Sequence, residues 1–385
     1  MRSAVVLALV SLVGCTPAPM PKQRPVTDQE STAEPDAPPE RAAGCSTAGS
    51  ELELVASQPV ETNLTGDQLP DTHQVWLAMI DGAARSLDIE QFYLANRPGG
   101  RLEPILQAIE RAADRGVQVR LIADADFADK YPDPLTRLGR RATVRTIDLT
   151  ETMGGVQHAK YFIVDDCEVY LGSANFDWRS LEHIHELGLR IRSPRLVAAL
   201  AEVFELDWQL AGGRTPGRNR ARSWDGFPVA LDGDHQVRPA FSPRGWLPDD
   251  RSWDLPLLTE AIENAKRTVR VQLLTYQSHF RDGAPFPALD ETLRAAAGRG
   301  VTVRLMVSHW QQRSGRIEDV QALVRDSTVE AKLITIPEHS RGFIPFARVI
   351  QLARQLETIF DGLWNGPYAT TVDPEATYPE PRIGP

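Results

Sequence analysis

The sequence predicts an α/β fold made of two related lobes, each with a mixed β-sheet flanked by helices. Strand-like runs are followed by amphipathic helices and then by further strands, and this order occurs twice. The block Arg-Gly-Val-x-Val-Arg-Leu also recurs at an offset of 184 residues, beginning at Arg115 and at Arg299. Strand–helix–strand units favour right-handed crossovers and parallel neighbours. We therefore expect a duplicated, helix-covered sheet architecture.

Length and composition agree with two folded lobes. The chain has 385 residues, of which 42% are hydrophobic, so it can bury a large core, and collagen-like, coiled-coil and fully disordered classes are excluded. The formal net charge is −10, with 42 basic and 52 acidic residues. Any surface that binds phosphate must then be a local basic pocket. Three cysteines are too few for a disulfide scaffold.

The first residues resemble an export signal. After Arg2, residues 4–14 form an apolar run of eleven, about half the length that spans a bilayer, so residues 1–14 are predicted to be a signal peptide. The run ends Leu12-Val13-Gly14-Cys15, which resembles the lipobox of bacterial lipoproteins and implies lipidation of Cys15. An ordinary secretory signal cleaved elsewhere is the alternative. We expect an exported bacterial lipoprotein of the cell envelope, anchored to a membrane at the periplasmic face or in the outer membrane.

Residues 15–50 are predicted to be a disordered tether, because prolines and scattered charges dominate and large apolar side chains are almost absent. Cys45 lies in this tether and Cys167 in the folded part. In an oxidising compartment they could pair, and the sequence leaves this open.

The first lobe is predicted over 51–215 and the second over 216–365, followed by a disordered Pro-rich tail over 366–385. Each lobe contains strand, helix and strand and closes with a helix. The predicted elements are 86–93, 102–113, 117–122 and 200–208 in the first lobe, and 268–276, 289–297, 301–306 and 356–364 in the second. The closing helices align at an offset of 156, which shows that the second lobe is shorter.

A run of polar residues suited to phosphodiester chemistry follows the third strand of the first lobe. His158 and Lys160 lie two apart on a predicted strand, so both side chains should project from one face. The ammonium can hold a phosphoryl oxygen while the imidazole approaches phosphorus. Ser173 and Asn175 are again two apart and add neutral donors for the developing charge. Asp165 lies at the far end of the strand, which favours a role in fixing the turn.

The run matches His-x-Lys-x4-Asp-x6-Gly-Ser-x-Asn and resembles the phospholipase D superfamily at every position. The continuation into Glu186 resembles the branch with the mammalian endolysosomal phospholipase D-like exonucleases and the poxvirus envelope phospholipase-like protein. The resemblance implies a bilobal phospholipase D-like fold and a phosphohistidine intermediate, with no metal or other cofactor. It implies the following roles: His158, Lys160, Asp165 and Glu186 as catalytic residues, and Lys160, Ser173 and Asn175 as phosphate ligands. Glu186 would orient a catalytic imidazole.

The second lobe lacks the corresponding motif. Gln351 occupies the position of His158, and the chain then runs directly into the closing helix. Relative to the first lobe, about 37 residues are missing, which correspond to the catalytic strand, its hairpin and the Gly-Ser-x-Asn turn. Such a sheet should have an open edge. The histidines of the second lobe, His279, His309 and His339, match no motif position and are expected to be structural or exposed.

These observations leave several functions open. The first is a phosphodiesterase acting on phospholipid by hydrolysis or phosphatidyl transfer, in which a symmetric homodimer could bring two His158 motifs together. A catalytically impaired, lipid-anchored phosphate-binding remnant and a 5′-exonuclease on single-stranded nucleic acid are the alternatives, and a sequence error that removed the segment is another. The sequence shows no basic stripe interleaved with aromatic residues that would favour nucleic acid.

Overall fold

The computed structural model describes residues 45, 49–62, 64, 69–214, 222–232, 235–280, 283–336 and 353–381. The chain divides into two compact units. The first holds the residues up to Val55, 70–178 and 188–254, and the second holds 56–69, 179–187 and 255 onward. The predicted signal peptide with Cys15 and most of the tether lie outside the described residues. Within the described ranges, no helix is both long and apolar enough to cross a bilayer.

A seven-stranded mixed sheet forms the centre of the first unit, as predicted. Its strand order is β1-β9-β7-β6-β2-β4-β5, where β2, β4 and β5 are parallel and β6 is antiparallel to β2 and β7. A short parallel pair, β3 with β8, lies beside it. The strands are β1 (Leu52–Ser57), β2 (Ser86–Gln91), β3 (Leu94–Ala95), β4 (Gln118–Asp124), β5 (Thr143–Ile147), β6 (Lys160–Val164), β7 (Glu168–Gly172), β8 (Phe176–Asp177) and β9 (Glu186–Ile191).

Amphipathic helices connect these strands. The predicted apolar face of the second helix, from Leu102 to Ala112, is buried, which gives the β2–helix–β4 unit its core. The helices are α1 (Thr72–Asp81), α2 (Leu102–Asp114), α3 (Ala125–Lys130), α4 (Pro132–Leu138), α5 (Thr150–Met153), α6 (Trp178–Glu182) and α7 (Pro194–Ala211). A hairpin of β10 (Val229–Leu231) and β11 (His235–Val237) completes the first unit.

The second unit repeats part of this plan. Its four-stranded sheet has the order β12-β13-β14-β15, with the first three strands parallel and the last antiparallel. In the described residues no strand pairs with the free edge of β12, the edge that β6 occupies on β2 in the first sheet. The elements are α8 (Asp254–Asn264), β12 (Thr268–Leu273), α9 (Ala288–Gly298), β13 (Thr302–Ser308), α10 (Ile317–Arg325), β14 (Glu330–Ile334), α11 (Ala353–Trp364) and β15 (Ala369–Thr371).

The repeated sequence block has the same structural role in both units. Gly116 has φ of 92° and Gly300 has φ of 83°, a left-handed conformation that favours glycine and ends α2 and α9. The Arg115 guanidinium donates to the carbonyl oxygen of Ile80 at 3.3 Å, and that of Arg299 donates to Ile262 at 3.1 Å. The arginine before each glycine thus satisfies carbonyl groups near the end of the preceding helix.

The closing helices are also held in the same way, which confirms the duplication. Phe204 stacks on Trp208 and Phe360 on Trp364, with ring centroids 5.9 and 5.6 Å apart. The guanidinium of Arg120 lies 5.2 Å from the Trp208 ring centroid, and that of its counterpart Arg304 lies 5.3 Å from Trp364. The second arginine of the repeated block therefore fixes the closing helix in each unit, although fewer residues separate this arginine from the closing helix in the second unit.

Three predicted boundaries need correction. The first unit extends to Asp254 rather than to 215, because residues 222–254 pack on it, with Trp224 buried against Ala199. The tail over 366–385 is not disordered in its described part, because β15 pairs with β14 and Gln321 donates to the carbonyl oxygen of Asp373 at 3.0 Å. The tether ends earlier than residue 50, because the Arg192 guanidinium donates to the carbonyl oxygen of Ser50.

A disulfide joins the end of the tether to the first unit. Cys45 and Cys167 are bonded, with Cα atoms 5.3 Å apart and a separation of 122 positions in the sequence. Cys167 lies in the turn between β6 and β7. The pairing that the sequence left open is therefore made in the structure.

Candidate active site

His158, Lys160 and Ser173, three of the predicted site residues, lie at one end of the first sheet. Because β2 and β4 are parallel and β6 is antiparallel to them, the ends of β2 and β4 lie beside the beginning of β6. In the register, Gln91 pairs with Lys160, and Tyr161 pairs with Leu171. Ser173, which follows β7, therefore lies at the same end of the sheet as His158. Ligand sites of open α/β sheets commonly lie at such ends.

His158 and Lys160 are in direct contact. The Lys160 ammonium donates to the carbonyl oxygen of His158 at 2.7 Å and lies 3.0 Å from its Nδ1. An ammonium has no lone pair, so Nδ1 accepts in this contact and the proton of a neutral ring lies on Nε2. For Nε2 to attack phosphorus, that proton has to move to Nδ1. A phosphate that draws the ammonium away would make this shift possible.

Asn175 has polar side-chain atoms that are available to bind a ligand. Its side chain is fully buried, and neither its amide oxygen nor its amide nitrogen has a hydrogen-bond partner in the described structure. Ser173, two residues earlier, is also buried. A buried amide without partners costs about 1–3 kcal/mol, which a bound phosphoryl oxygen could recover. The arrangement therefore suits the phosphate-binding role that the resemblance implies.

Asp165 has a structural position rather than one beside the imidazole. It lies after the last residue of β6, seven residues from His158, which corresponds to roughly 23 Å of extended chain. Its carboxylate accepts from the backbone N–H groups of Ala84, Arg85 and Ser86 at 2.9, 2.6 and 2.8 Å. Asp165 therefore fixes the turn at the start of β2, the role that its position in the sequence favoured, and the catalytic role that the resemblance implies stays a prediction.

Glu186 and its neighbouring histidines belong to the second unit. Glu186 is fully buried at the start of β9, and Ser180 Oγ donates to it at 3.3 Å. His183 and His185 are also buried, and burial lowers the pKa of His185 to about 4, so its ring is neutral at pH 7. No group of three or more metal-ligating side chains occurs in the part of the chain that the structure describes.

Sequence reasoning missed an acidic network beneath the catalytic strand. Glu90 on β2 is buried and accepts from Gln157 Nε2 at 2.5 Å and from the Tyr161 hydroxyl at 2.6 Å. It also shares a hydrogen bond with Asp207 of α7. Burial raises the pKa of Glu90 and, together with the Glu90 charge, raises the pKa of Asp207 well above its usual range. Gln157 and Tyr161, which donate to Glu90, precede and follow His158 in the sequence. No local pattern marks the network, since its members come from three segments.

Asp124 was missed as well. It ends β4, caps α3 by accepting from the Phe127 N–H at 3.3 Å, and accepts from the Gln157 N–H at 2.8 Å. Burial raises the pKa of its carboxyl. Asp124 therefore ties α3 to the residue before His158. An N-cap aspartate at the end of a strand is a signal that the sequence did offer.

The second-unit histidines behave as predicted where they are described. His279 is exposed and lies 3.2 Å from Asp319, and His309 is buried, which lowers its pKa. His339 and Gln351 lie outside the described residues. The described part of this unit thus places no second imidazole in a motif like that of His158.

Comparisons with known proteins agree with the fold. The family model described as "Cardiolipin synthase, PLD-like domain" matches residues 76–208. The chain is 32% identical to "5'-3' exonuclease PLD3" of Rattus norvegicus over 336 residues, which cover 78% of this chain and 69% of that protein. It is 31% identical to the "Virion nicking-joining enzyme" of Vaccinia virus (78% and 76% covered) and 27% identical to "Phospholipase D Z" of Dictyostelium discoideum (84% and 91%).

Among solved structures, phosphatidylserine synthase of Haemophilus influenzae shares the fold. The TM-score is 0.55 at 12% identity, and the match covers 78% of this chain and 85% of that one. The fold, the motif that contains His158 and the curated relatives lead to the same assignment, which confirms the resemblance seen in the sequence. The chain belongs to the phospholipase D superfamily.

Proposed function

We propose that this chain is a phosphodiesterase that cleaves single-stranded nucleic acid at the site of His158. The observations that carry the proposal are the contact of Lys160 with His158 and the Asn175 amide, which is buried without a partner and follows β7 at the same end of the sheet. These groups supply a nucleophile, a cation and a neutral donor for one phosphoryl group. The choice of nucleic acid draws on the relatives, two of which are named as an exonuclease and a nicking-joining enzyme.

The reaction would proceed in two balanced steps. His158 Nε2 forms a bond to phosphorus while the bond from phosphorus to the leaving oxygen breaks, and that oxygen takes up a proton. Water then attacks the phosphohistidine, the P–N bond breaks, and the water proton passes to the group that protonated the leaving oxygen. Lys160, Ser173 and Asn175 stabilise the charge on the phosphoryl oxygens in both steps.

The proton for the leaving oxygen needs a donor, since the second lobe lacks its own motif. A symmetric homodimer would supply one, because it places a second His158 opposite the first. Such an enzyme should lose specific activity on dilution below its dimerisation constant. Mixing with an excess of the His158→Ala variant should suppress the activity of the remaining wild-type subunits.

A phospholipid substrate is the second candidate. The relative named Phospholipase D Z and the expected lipid on Cys15, which would hold the site near a membrane, favour it. The expected export as an envelope lipoprotein is part of this proposal. The bond between Cys45 and Cys167 supports an oxidising compartment.

The test is a parallel assay of a short single-stranded DNA and phosphatidylglycerol vesicles. We expect cleavage of the DNA and a loss of at least roughly 10³-fold in His158→Ala. His235→Ala, which removes an exposed histidine of the same unit, should retain activity. Cleavage of the lipid alone would establish the second candidate. Absence of His158-dependent cleavage of either substrate, at all protein concentrations, would leave the phosphate-binding remnant as the function.

A further inference from the structure

We infer that a row of aromatic rings next to His158 is a stacking site for the nucleobase beside the scissile phosphate. The aromatic row consists of Tyr93, Phe127 and Tyr131. The inference rests on the proposed function and specifies how the same site would recognise a nucleic acid strand. Stacking on aromatic side chains is a general means of binding single strands without sequence preference.

The rings follow one another at stacking distances. Tyr93 and Phe127 are parallel to within 23°, with ring centroids 5.4 Å apart, and Tyr93 lies 5.5 Å from Tyr131 at 30°. All three side chains are half-buried. Rings that served only as core would be covered, as the neighbouring Phe92 is. The aromatic row therefore offers apolar surface at a polar site.

The aromatic row is connected to the catalytic pair through Phe92. Its ring centroid lies 4.1 Å from that of Phe127 and 4.5 Å from the His158 imidazole. Asp124 adds a polar link, because it caps the helix that carries Phe127 and also holds the backbone before His158. Phe92 thus lies in contact with both the aromatic row and the His158 ring.

Two ammonium groups lie beside different rings of this system. Lys160 Nζ is 5.2 Å from the Phe92 centroid, and Lys130 Nζ is 5.7 Å from that of Phe127 and 5.4 Å from that of Tyr131. Lys130 is exposed. Cations beside aromatic rings suit a strand in which phosphates alternate with bases.

The same charges argue against a choline head group. Quaternary ammonium ligands bind in aromatic cages, where the ring faces attract the cation. Here two lysine ammonium groups already lie over or beside the rings and would repel a third cation. A neutral planar base meets no such repulsion.

The test uses two oligonucleotides that differ only in whether the nucleotide next to the scissile phosphate carries a base or is abasic. For Tyr131→Leu and Phe127→Leu, we expect kcat/KM on the base-bearing strand to fall roughly 5- to 150-fold. The abasic strand, which has no base to stack, should lose far less. Tyr368→Leu, in the second unit, is the aromatic control and should keep the wild-type ratio of the two substrates. Lys130→Gln should weaken both substrates equally and lower the salt dependence of binding by about one counterion.

Equal losses on both strands in Tyr131→Leu and Phe127→Leu would overturn the inference, since the rings would then only support the fold. Equilibrium binding of the base-bearing and abasic strands to the His158→Ala variant tests the stacking site without cleavage. It therefore distinguishes failure of the stacking inference from failure of the proposed function. A preference for the base-bearing strand that disappears with Tyr131→Leu would support the stacking site even if no cleavage occurred. Cleavage without any preference for the base would refute the stacking site and leave the phosphodiesterase intact.

Discussion

The disulfide between Cys45 and Cys167 should account for a large part of the stability of the first unit. The bond closes a loop of 122 residues. In the chain-entropy treatment, a cross-link of this span removes about 16 cal/mol/K from the unfolded chain, or about 4.9 kcal/mol at 25 °C. Native disulfides commonly contribute about 2–5 kcal/mol. We therefore expect Cys167→Ser to lower the free energy of unfolding by about 3–5 kcal/mol.

Urea unfolding measures this effect in a chain that carries Cys15→Ser as its background. Both Cys45→Ser and Cys167→Ser open the same loop, so they should lose the same stability, and adding reductant should bring the parent to their level. Thiol titration of the unfolded parent should find no free thiol before reduction and two afterwards. A loss below about 1 kcal/mol, or a difference above about 1 kcal/mol between the two variants, would refute the loop-closure reasoning.

Three further predictions concern single positions of the first unit. Asn175→Leu keeps the branching of the side chain but removes a buried unpartnered amide, so the free energy of unfolding should rise by about 1–2 kcal/mol while kcat falls roughly 10²- to 10³-fold. Asp207→Asn should reduce the dependence of the free energy of unfolding on pH. Burial raises the pKa values of Glu90 and Asp207 above their usual 4.5 and 3.8, so the native state binds more protons than the unfolded state. The stability of the wild-type protein therefore falls as the pH rises through the raised pKa values. Gly188→Ala places a Cβ 2.3 Å from the Tyr170 hydroxyl oxygen and 2.5 Å from its ring carbon, and should cost at least about 2 kcal/mol.

Each of these predictions has a control in the chain. Asn264→Leu changes an exposed amide and should leave activity unchanged. Glu205→Gln replaces an exposed carboxylate of the same helix as Asp207. In thermal unfolding from pH 4 to 8, the stability of this variant should therefore fall with pH as it does in the wild-type protein. Gly298→Ala meets no atom within 4 Å and should be neutral or slightly stabilising. A stability loss in Asn175→Leu, an unchanged pH profile in Asp207→Asn, or a harmless Gly188→Ala would each contradict the corresponding reasoning.

Features encoded in short stretches of sequence were predicted well. The repeated block gave the strand–helix–strand unit in both lobes because its glycine and its two arginines have fixed local roles, which the structure shows at Gly116 and Gly300. The motif around His158 also predicted which side chains lie together, since residues two apart on a strand share a face and the two strands of a hairpin lie side by side. Local pattern was sufficient in both cases.

Features that join distant segments were not predictable in the same way. The rings of Tyr93 and Tyr131 are in contact although 38 positions separate them, and Glu90 meets Asp207 only because α7 packs on the sheet. The strand β15 was missed because three residues in a Pro-rich segment carry no periodic signal, and the pairing with β14 decides their conformation. Long-range contacts therefore determined what sequence reasoning left out.

The shortened second lobe keeps its fold because the contacts that hold the closing helix do not involve the lost segment. Arg304 and Arg270 both reach Asp361, and the Lys332 ammonium donates to the carbonyl oxygen of Trp364 at 2.7 Å. These groups lie on β12, β13 and β14, which the deletion leaves intact. The loss removes the strand that would carry a second imidazole and leaves the edge of β12 without a strand in the described residues. In the structure, the loss thus affects one sheet edge. In the chemistry, the loss removes a proton donor. Whether activity depends on dimerisation is therefore the sharpest distinction between an enzyme and a phosphate-binding remnant.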